Sequence, residues 1–227
     1  MNKTITPIAH IHTDYTGKFG IPRQCGLVNS EAEIVFLKDY SGPDCIRELE
    51  GYSHIWLIWG FSENEKSGWS PTVRPPRLGG NKRVGVFASR SPFRPNGLGL
   101  SVVKLERITI TKERGPVLTV VGADLMDQTP IYDIKPYIPA SDAIPDALSG
   151  YSGRAKDKHL SIHYEAGQLD PVPESKRKAL LEVLSLDPRP SYQDDPDRVY
   201  GMTYAGHEIH FKVCGNDLYI TDISVFR

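Results

Sequence analysis

Cysteine is scarce: Cys25, Cys45 and Cys214 are the three in 227 residues, far apart and odd in number. Such a set argues against a disulfide framework and has no zinc-site spacing, so a reducing, cytoplasmic setting is the expectation. Long apolar runs are missing as well. The longest, HIWLIWGF at His54–Phe61, is too short to span a bilayer, and the opening MNKTITPIAHIHTDYTG has no apolar signal core. No membrane association is expected. A net excess of one charge is also lacking, since 27 Lys and Arg face 28 Asp and Glu. Neither a basic coat nor an acidic tail is present, and any electrostatic function must come from local clustering.

Several catalytic signatures are absent too. GGNKRVG (Gly79–Gly85) lacks the Lys-Ser/Thr end of a P-loop, and GLGLSV (Gly97–Val102) lacks the third glycine of a dinucleotide turn. No Ser or Cys has the context of a nucleophile elbow or a papain-like thiol. His10 with His12 would share a strand face and His159 with His163 would sit one helical turn apart, but neither pair has a third ligand at metal spacing. No metal is expected.

Up to about Asp124 the apolar residues come in short runs punctuated by Gly, Pro and Asn, the pattern of strands joined by tight loops. The predicted strands are Thr4–Ile11, Glu33–Leu37, His54–Phe61, Val84–Ala88, Leu100–Ile110 and Pro116–Asp124, with a short helix over Pro43–Leu49 capped by Ser41. HIWLIWGF, apolar on both faces, belongs in the middle of a core. So little helix cannot supply the crossovers of a parallel sheet, so a small closed or sandwiched β-structure is predicted. From Ile138 to Lys158 the composition turns to that of a linker. Beyond it, Ala179, Leu180, Val183, Leu184 and Leu186 fall at helical spacing, Asp187-Pro188 ends that helix, and Glu208–Val213 and Leu218–Val225 form a hairpin about Gly215-Asn216-Asp217. The fold class is therefore mainly β: a β-barrel domain over residues 1–145 and a small α+β domain over 155–227.

What the chain does have is an acid-free basic window. Between Ser67 and Leu105 there is no Asp or Glu, while Arg74, Arg77, Lys82, Arg83, Arg90, Arg94 and Lys104 stand among Trp69, Phe87 and Phe93. Arginine forks suit phosphates and aromatic rings suit bases, although a solvated basic surface with proline-stiffened loops fits the same composition. A second concentration follows in GADLMDQTPIYDIKPY (Gly122–Tyr137), where Asp124, Asp127 and Asp133 stand beside Lys135 and Tyr137. An extended DIKPY points Asp133, Lys135 and Tyr137 to one side, either as a site or as a strand's wet face.

PRQCGLV (Pro22–Val28), LEGYSHIWLIWGF (Leu49–Phe61), VRPPRLGGNKRVGVFASRSPFRPN (Val73–Asn96), DQTPIYDIKPYIP (Asp127–Pro139) and LDPRPSY (Leu186–Tyr192) together resemble the TsaA-like (TrmO) tRNA methyltransferases. The resemblance implies a β-barrel enzyme that uses S-adenosylmethionine to methylate N6 of threonylcarbamoyl adenosine beside the anticodon of a threonine tRNA. It also implies a homodimer with the cofactor near the subunit boundary. By position, the cofactor contacts would be Gln24, Cys25, Gly26, Leu27, Ser62, Glu63, Arg90, Leu100, Gln128, Thr129, Pro130 and Ile131. Cys25 replaces an expected Pro, and Gly97-Leu98 an expected Pro-Ile. Asp133 is the candidate proton acceptor, Lys135 and Tyr137 its partners, and Arg74, Arg77, Arg83 and Arg94 the candidate tRNA contacts. The rival readings are a non-catalytic RNA-binding module and a small-molecule methyltransferase on the same barrel.

Overall fold

The computed structural model describes residues 4–75, 82–154, 159–189, 193 and 195–226. Its first eight strands are β1 (Ala9–His12), β2 (Glu31–Phe36), β3 (His54–Gly60), β4 (Thr72–Val73), β5 (Val84–Gly85), β6 (Leu98–Thr111), β7 (Gly115–Val121) and β8 (Thr129–Pro136). Six of them close a barrel in the order β1-β2-β7-β6-β3-β8, with every neighbour antiparallel. Closure leaves no barrel edge to pair with another chain.

Alternation drives the barrel. In β3, Ile55 and Leu57 are fully buried while Trp56 and Ile58 face outward, and the strand is flanked on both sides, by β6 and β8. With Ile11, Ile34, Leu118, Val120 and Ile131 they form the barrel core. The expected mainly β architecture is therefore what the chain adopts.

Several boundaries differ from the sequence reading. Only Val84–Gly85 of the fourth predicted strand is extended; it pairs with β4 as a small ribbon, and Val86–Ala88 turns as a 3-10 helix. The first strand begins at Ala9 rather than Thr4, after Pro7, which has no amide to donate. Pro116–Asp124 ends at Val121, where Gly122 turns the chain. The helix predicted over Pro43–Leu49 is two 3-10 turns, Pro43–Ile46 and Leu49–Gly51, because Glu48 between them is left-handed; Ser41 does not cap it, and its hydroxyl bonds Lys38 O.

After a single helical turn α1 (Pro139–Asp142), the rest of the chain contributes β9 (Ser161–His163), α2 (Glu174–Ser185), β10 (Tyr200–Tyr204), β11 (His207–Cys214) and β12 (Asp217–Val225). The sheet order is β10-β11-β12-β9, with β9 parallel to β12. Ala179, Leu180, Val183 and Leu184 of α2 pack on its inner face to make a second apolar core. His163 lies in β9, not on a helix with His159; it bonds Asp217 and stacks on Tyr219. No helix among the described residues is long and apolar enough to cross a membrane.

Candidate active site

A cavity of about 450 Å³ opens on the side of the barrel. Its wall on one side is the end of β3 and the start of β6; on the other it is the β1–β2 connection around Pro22 and the loop around Arg90. Trp59, Phe61, Leu98, Leu100, Leu125 and Met126 make it apolar, while Gln24, Glu63, Arg90 and Asp124 supply charge and hydrogen bonds.

Trp59 reaches this position because it stands opposite Gly99 in the β3–β6 register. A side chain at Gly99 would put its Cβ 2.3 Å from the indole, so only glycine lets the ring lie against β6. The indole Nε1–H then donates to Ser101 Oγ at 3.1 Å, and Ser101 donates to Asp124 Oδ1 at 2.6 Å. Burial pushes the Asp124 carboxyl above its ordinary range, opposed by the Ser101 hydrogen bond and by the positive charge of Arg90. Beside it, burial and then the Asp124 charge push the Cys25 thiol up. Arg90 donates to Gln24 Oε1 across the cavity, and Gly26 N–H bonds Gly122 O at 2.8 Å, tying the PRQCGLV loop to the strand end that carries Asp124.

Of the sequence-predicted cofactor residues, Gln24, Ser62, Glu63, Arg90, Leu100 and Thr129 line this cavity. Cys25, Gly26 and Leu27 follow Gln24 in the same loop but do not line the cavity, Gly26 and Leu27 being exposed, and Ile131 is fully buried in the barrel core. Gln128 turns away to bond His12 Nδ1 at 2.9 Å, and Pro130 pairs with His10. Asp133 and Lys135 pair at 3.1 Å on the outer face of β8. Their register partners are Ile58 and Trp56, and Ile58 also pairs with Leu100, so the two residues continue the outer-face row that runs into the cavity wall. Tyr137 packs on Trp56, with ring centroids 5.7 Å apart.

Among the basic residues, Arg94 donates to Ser89 O and Ser91 O, which closes its own loop at the cavity edge. Arg83 clamps Thr72 through Oγ1 and O, holding β4 to β5. Arg74 is exposed and makes no hydrogen bond or ion pair among the described residues. Arg77 lies outside the described residues. Trp69, Phe87 and Phe93 are exposed around the same ribbon. Trp56 and Trp59 lie in the HIWLIWGF run and Asp124 in the GADLMDQTPIYDIKPY stretch, but the sequence assigns no site role to these residues or to Ser101; an aspartate directly beyond an apolar strand is the one signal of that role.

A closed barrel with an apolar cleft that also carries charged groups has the room and the chemistry for a mid-sized ligand of mixed polarity. The model of the tRNA-methyltransferase O N-terminal domain matches residues 10–143, and that of the TrmO C-terminal domain matches residues 161–226. The chain belongs to the tRNA-methyltransferase O family. It is 41% identical over 205 residues to the tRNA (adenine(37)-N6)-methyltransferase of Escherichia coli K12, covering 87% of this chain and 86% of that one. A crystal structure of TrmO from Pseudomonas aeruginosa superposes with a TM-score of 0.78 at 30% identity, covering 99% of this chain and 100% of that one. A Pyrococcus abyssi relative named "Probable S-adenosyl-L-methionine-binding protein" is 32% identical over 146 residues, 64% of this chain and 73% of that one.

Proposed function

We propose that this chain methylates N6 of the adenosine at position 37 of tRNA with S-adenosylmethionine as donor, the adenosine being the threonylcarbamoyl form in a threonine tRNA. The observation that carries the reading is the cleft itself. The partly buried Asp124 carboxylate and the Arg90 guanidinium stand at the polar end of a slot walled by Trp59, Phe61, Leu98 and Leu100. A ligand with a zwitterionic amino-acid end, a cationic centre and a flat purine matches that set of groups. A purely RNA-binding module has no use for a partly buried carboxylate under an apolar slot.

When bound, S-adenosylmethionine supplies an electrophilic methyl group on sulfur. The chain's residues have to align the acceptor nitrogen with it and take the proton that nitrogen loses. Asp133 is assigned the proton, and Lys135, 3.1 Å from it, faces the negative charge of the threonylcarbamoyl group. Tyr137, resting on Trp56, offers a ring to the base. Arg74, Arg77, Arg83 and Arg94 are assigned to tRNA phosphates. The reading includes the two-domain division at 1–145 and 155–227, a cytoplasmic location and a homodimer, for which Leu27 and Leu100, exposed beside the cleft, are the apolar contacts.

Incubating the protein with labelled methyl donor and either total tRNA or a small-metabolite pool, followed by nucleoside analysis, tests the proposal. Label is expected in a methylated threonylcarbamoyl adenosine from tRNA. Label in a metabolite, or none despite donor binding, would overturn it.

A further inference from the structure

The connection from Thr13 to Ser30 forms one wall of the cleft but has no regular secondary structure. A loop this long stays ordered only if something packs on it. Its apolar side chains Tyr15, Phe19, Ile21 and Val28 pack in the second apolar core, not in the barrel. Phe19 stacks on Phe211, with centroids 6.4 Å apart and planes within 7°. Tyr15 and Val28 are buried in the same cluster, Tyr15 against Tyr204. At Gly20 a Cβ would sit 2.5 Å from Met202 Cε, so this backbone rests directly on β10.

Polar contacts repeat the pattern. Asn29 N–H donates to Glu182 Oε2 of α2 at 2.7 Å, Lys176 pairs with Asp14 at 2.6 Å, and the Arg23 guanidinium donates to Asp187 O at 3.0 Å. From the opposite side of the loop, Ile21, Pro22, Arg23 and Gln24 face the cleft, and Lys18 reaches Glu63 O across its mouth.

The outer face of the C-terminal sheet suits a different role poorly. Glu208 and Asp222 flank His210 there, and Asp217 holds His163. Carboxylates on that face oppose an extension of the basic phosphate surface. The inner face holds the loop.

We infer that the C-terminal unit is the positioning element of the cleft: it holds the Ile21–Gln24 wall from behind, so that donor binding depends on side chains that never touch the donor. This rests on the reading above for the donor's identity, but not for the order of the wall. Phe19 is the positioning residue at its centre, outside the cleft lining and against Phe211.

The test compares Phe19→Ala with Leu218→Ala, which opens the same C-terminal core away from the loop. Calorimetry with S-adenosylmethionine, run well below both melting temperatures, reads donor affinity; trypsin cleavage after Lys18 and Arg23 reads wall order without any donor. Phe19→Ala is expected to weaken the donor about tenfold, the usual size of such a coupling, with faster cleavage at both sites. Phe19→Leu should restore most of both, and Leu218→Ala should change neither despite a lower melting temperature. Asn29→Asp, an exposed change that sets two carboxylates together at Glu182, should move both readouts in the direction of Phe19→Ala and guards against a Phe19 variant that does not fold. Native affinity and native cleavage in Phe19→Ala, or equal losses in Leu218→Ala, would overturn the inference. If the native protein binds no S-adenosylmethionine, the donor assignment fails instead, and the cleavage arm still decides the role of the wall.

Discussion

A carboxylate drawn partly out of water is costly unless something compensates it, and Asp124 has a 2.6 Å hydrogen bond from Ser101 and a guanidinium nearby. Its raised pKa means that the folded protein keeps a proton the unfolded chain has released. Stability from this group therefore falls as pH rises from about 4 through the raised value, and the penalty stays in full above it. Asparagine cannot ionise, so Asp124→Asn is expected to raise the melting temperature at pH 7 and to gain less at pH 4, as calorimetric scans at both pH values would read. The same change should weaken the donor by about tenfold or more, the scale of a lost charged hydrogen bond. A variant that is less stable at pH 7, or that binds donor normally, would remove Asp124 from the site. The neighbouring Trp59 gives a steric counterpart. Gly99→Ala forces the indole off β6 and breaks its bond to Ser101, an overpacking cost of about 1–3 kcal/mol. A lower melting temperature together with altered tryptophan emission is the expected result.

Strand β8 connects the barrel's closure to the chemistry, because its inward residue Ile131 seals the core while Asp133 and Lys135 stand on the outer row beside Trp56 and Leu100. If Asp133 accepts the proton, Asp133→Asn should slow single-turnover methylation by about 10²–10⁴-fold and leave tRNA affinity unchanged. An unaltered single-turnover rate with tRNA bound would discard that role. The alternation of β2 and β6 is plain in the sequence, as are the short, doubly apolar run of β3 and the hairpin of β11 and β12, because those segments carry their own period, composition or turn. Other features are not local. Val84–Ala88 has the composition of a strand, yet the chain needs Val86–Ala88 as a turn to bring Arg90 to Gln24. Strand β10, YGMTY, mixes small and polar residues, and its burial comes from the Thr13–Ser30 loop lying on it. The PRQCGLV loop and the basic window are legible as motifs. The Trp59–Ser101–Asp124 chain is not, since it exists only once β3, β6 and the segment after β7 meet.

For the molecule as a whole, near-zero net charge means that no global field draws in a polynucleotide, so the proposed function assigns tRNA affinity to the basic window between Ser67 and Leu105. The structure divides those cations by what they are bound to. Arg74 makes no hydrogen bond or ion pair among the described residues, so Arg74→Ala removes a charge without breaking a polar contact there; it should weaken tRNA binding and reduce the slope of log affinity against log salt by about one unit, with donor affinity unchanged. Arg83 and Arg94 donate to hydroxyl and carbonyl oxygens, which keeps their charge available while making them structural. Arg94→Ala also opens the carbonyls of Ser89 and Ser91 next to Arg90, so it should cost donor affinity as well as salt slope, whereas Arg83→Ala should lower the salt slope and loosen the β4–β5 ribbon while leaving donor affinity unchanged. Filter binding across a salt series, paired with donor calorimetry, separates these patterns. A slope unchanged in all three variants would move the phosphate surface off this ribbon and leave the exposed Trp69, Phe87 and Phe93 without the backbone contacts that stacking on bases requires.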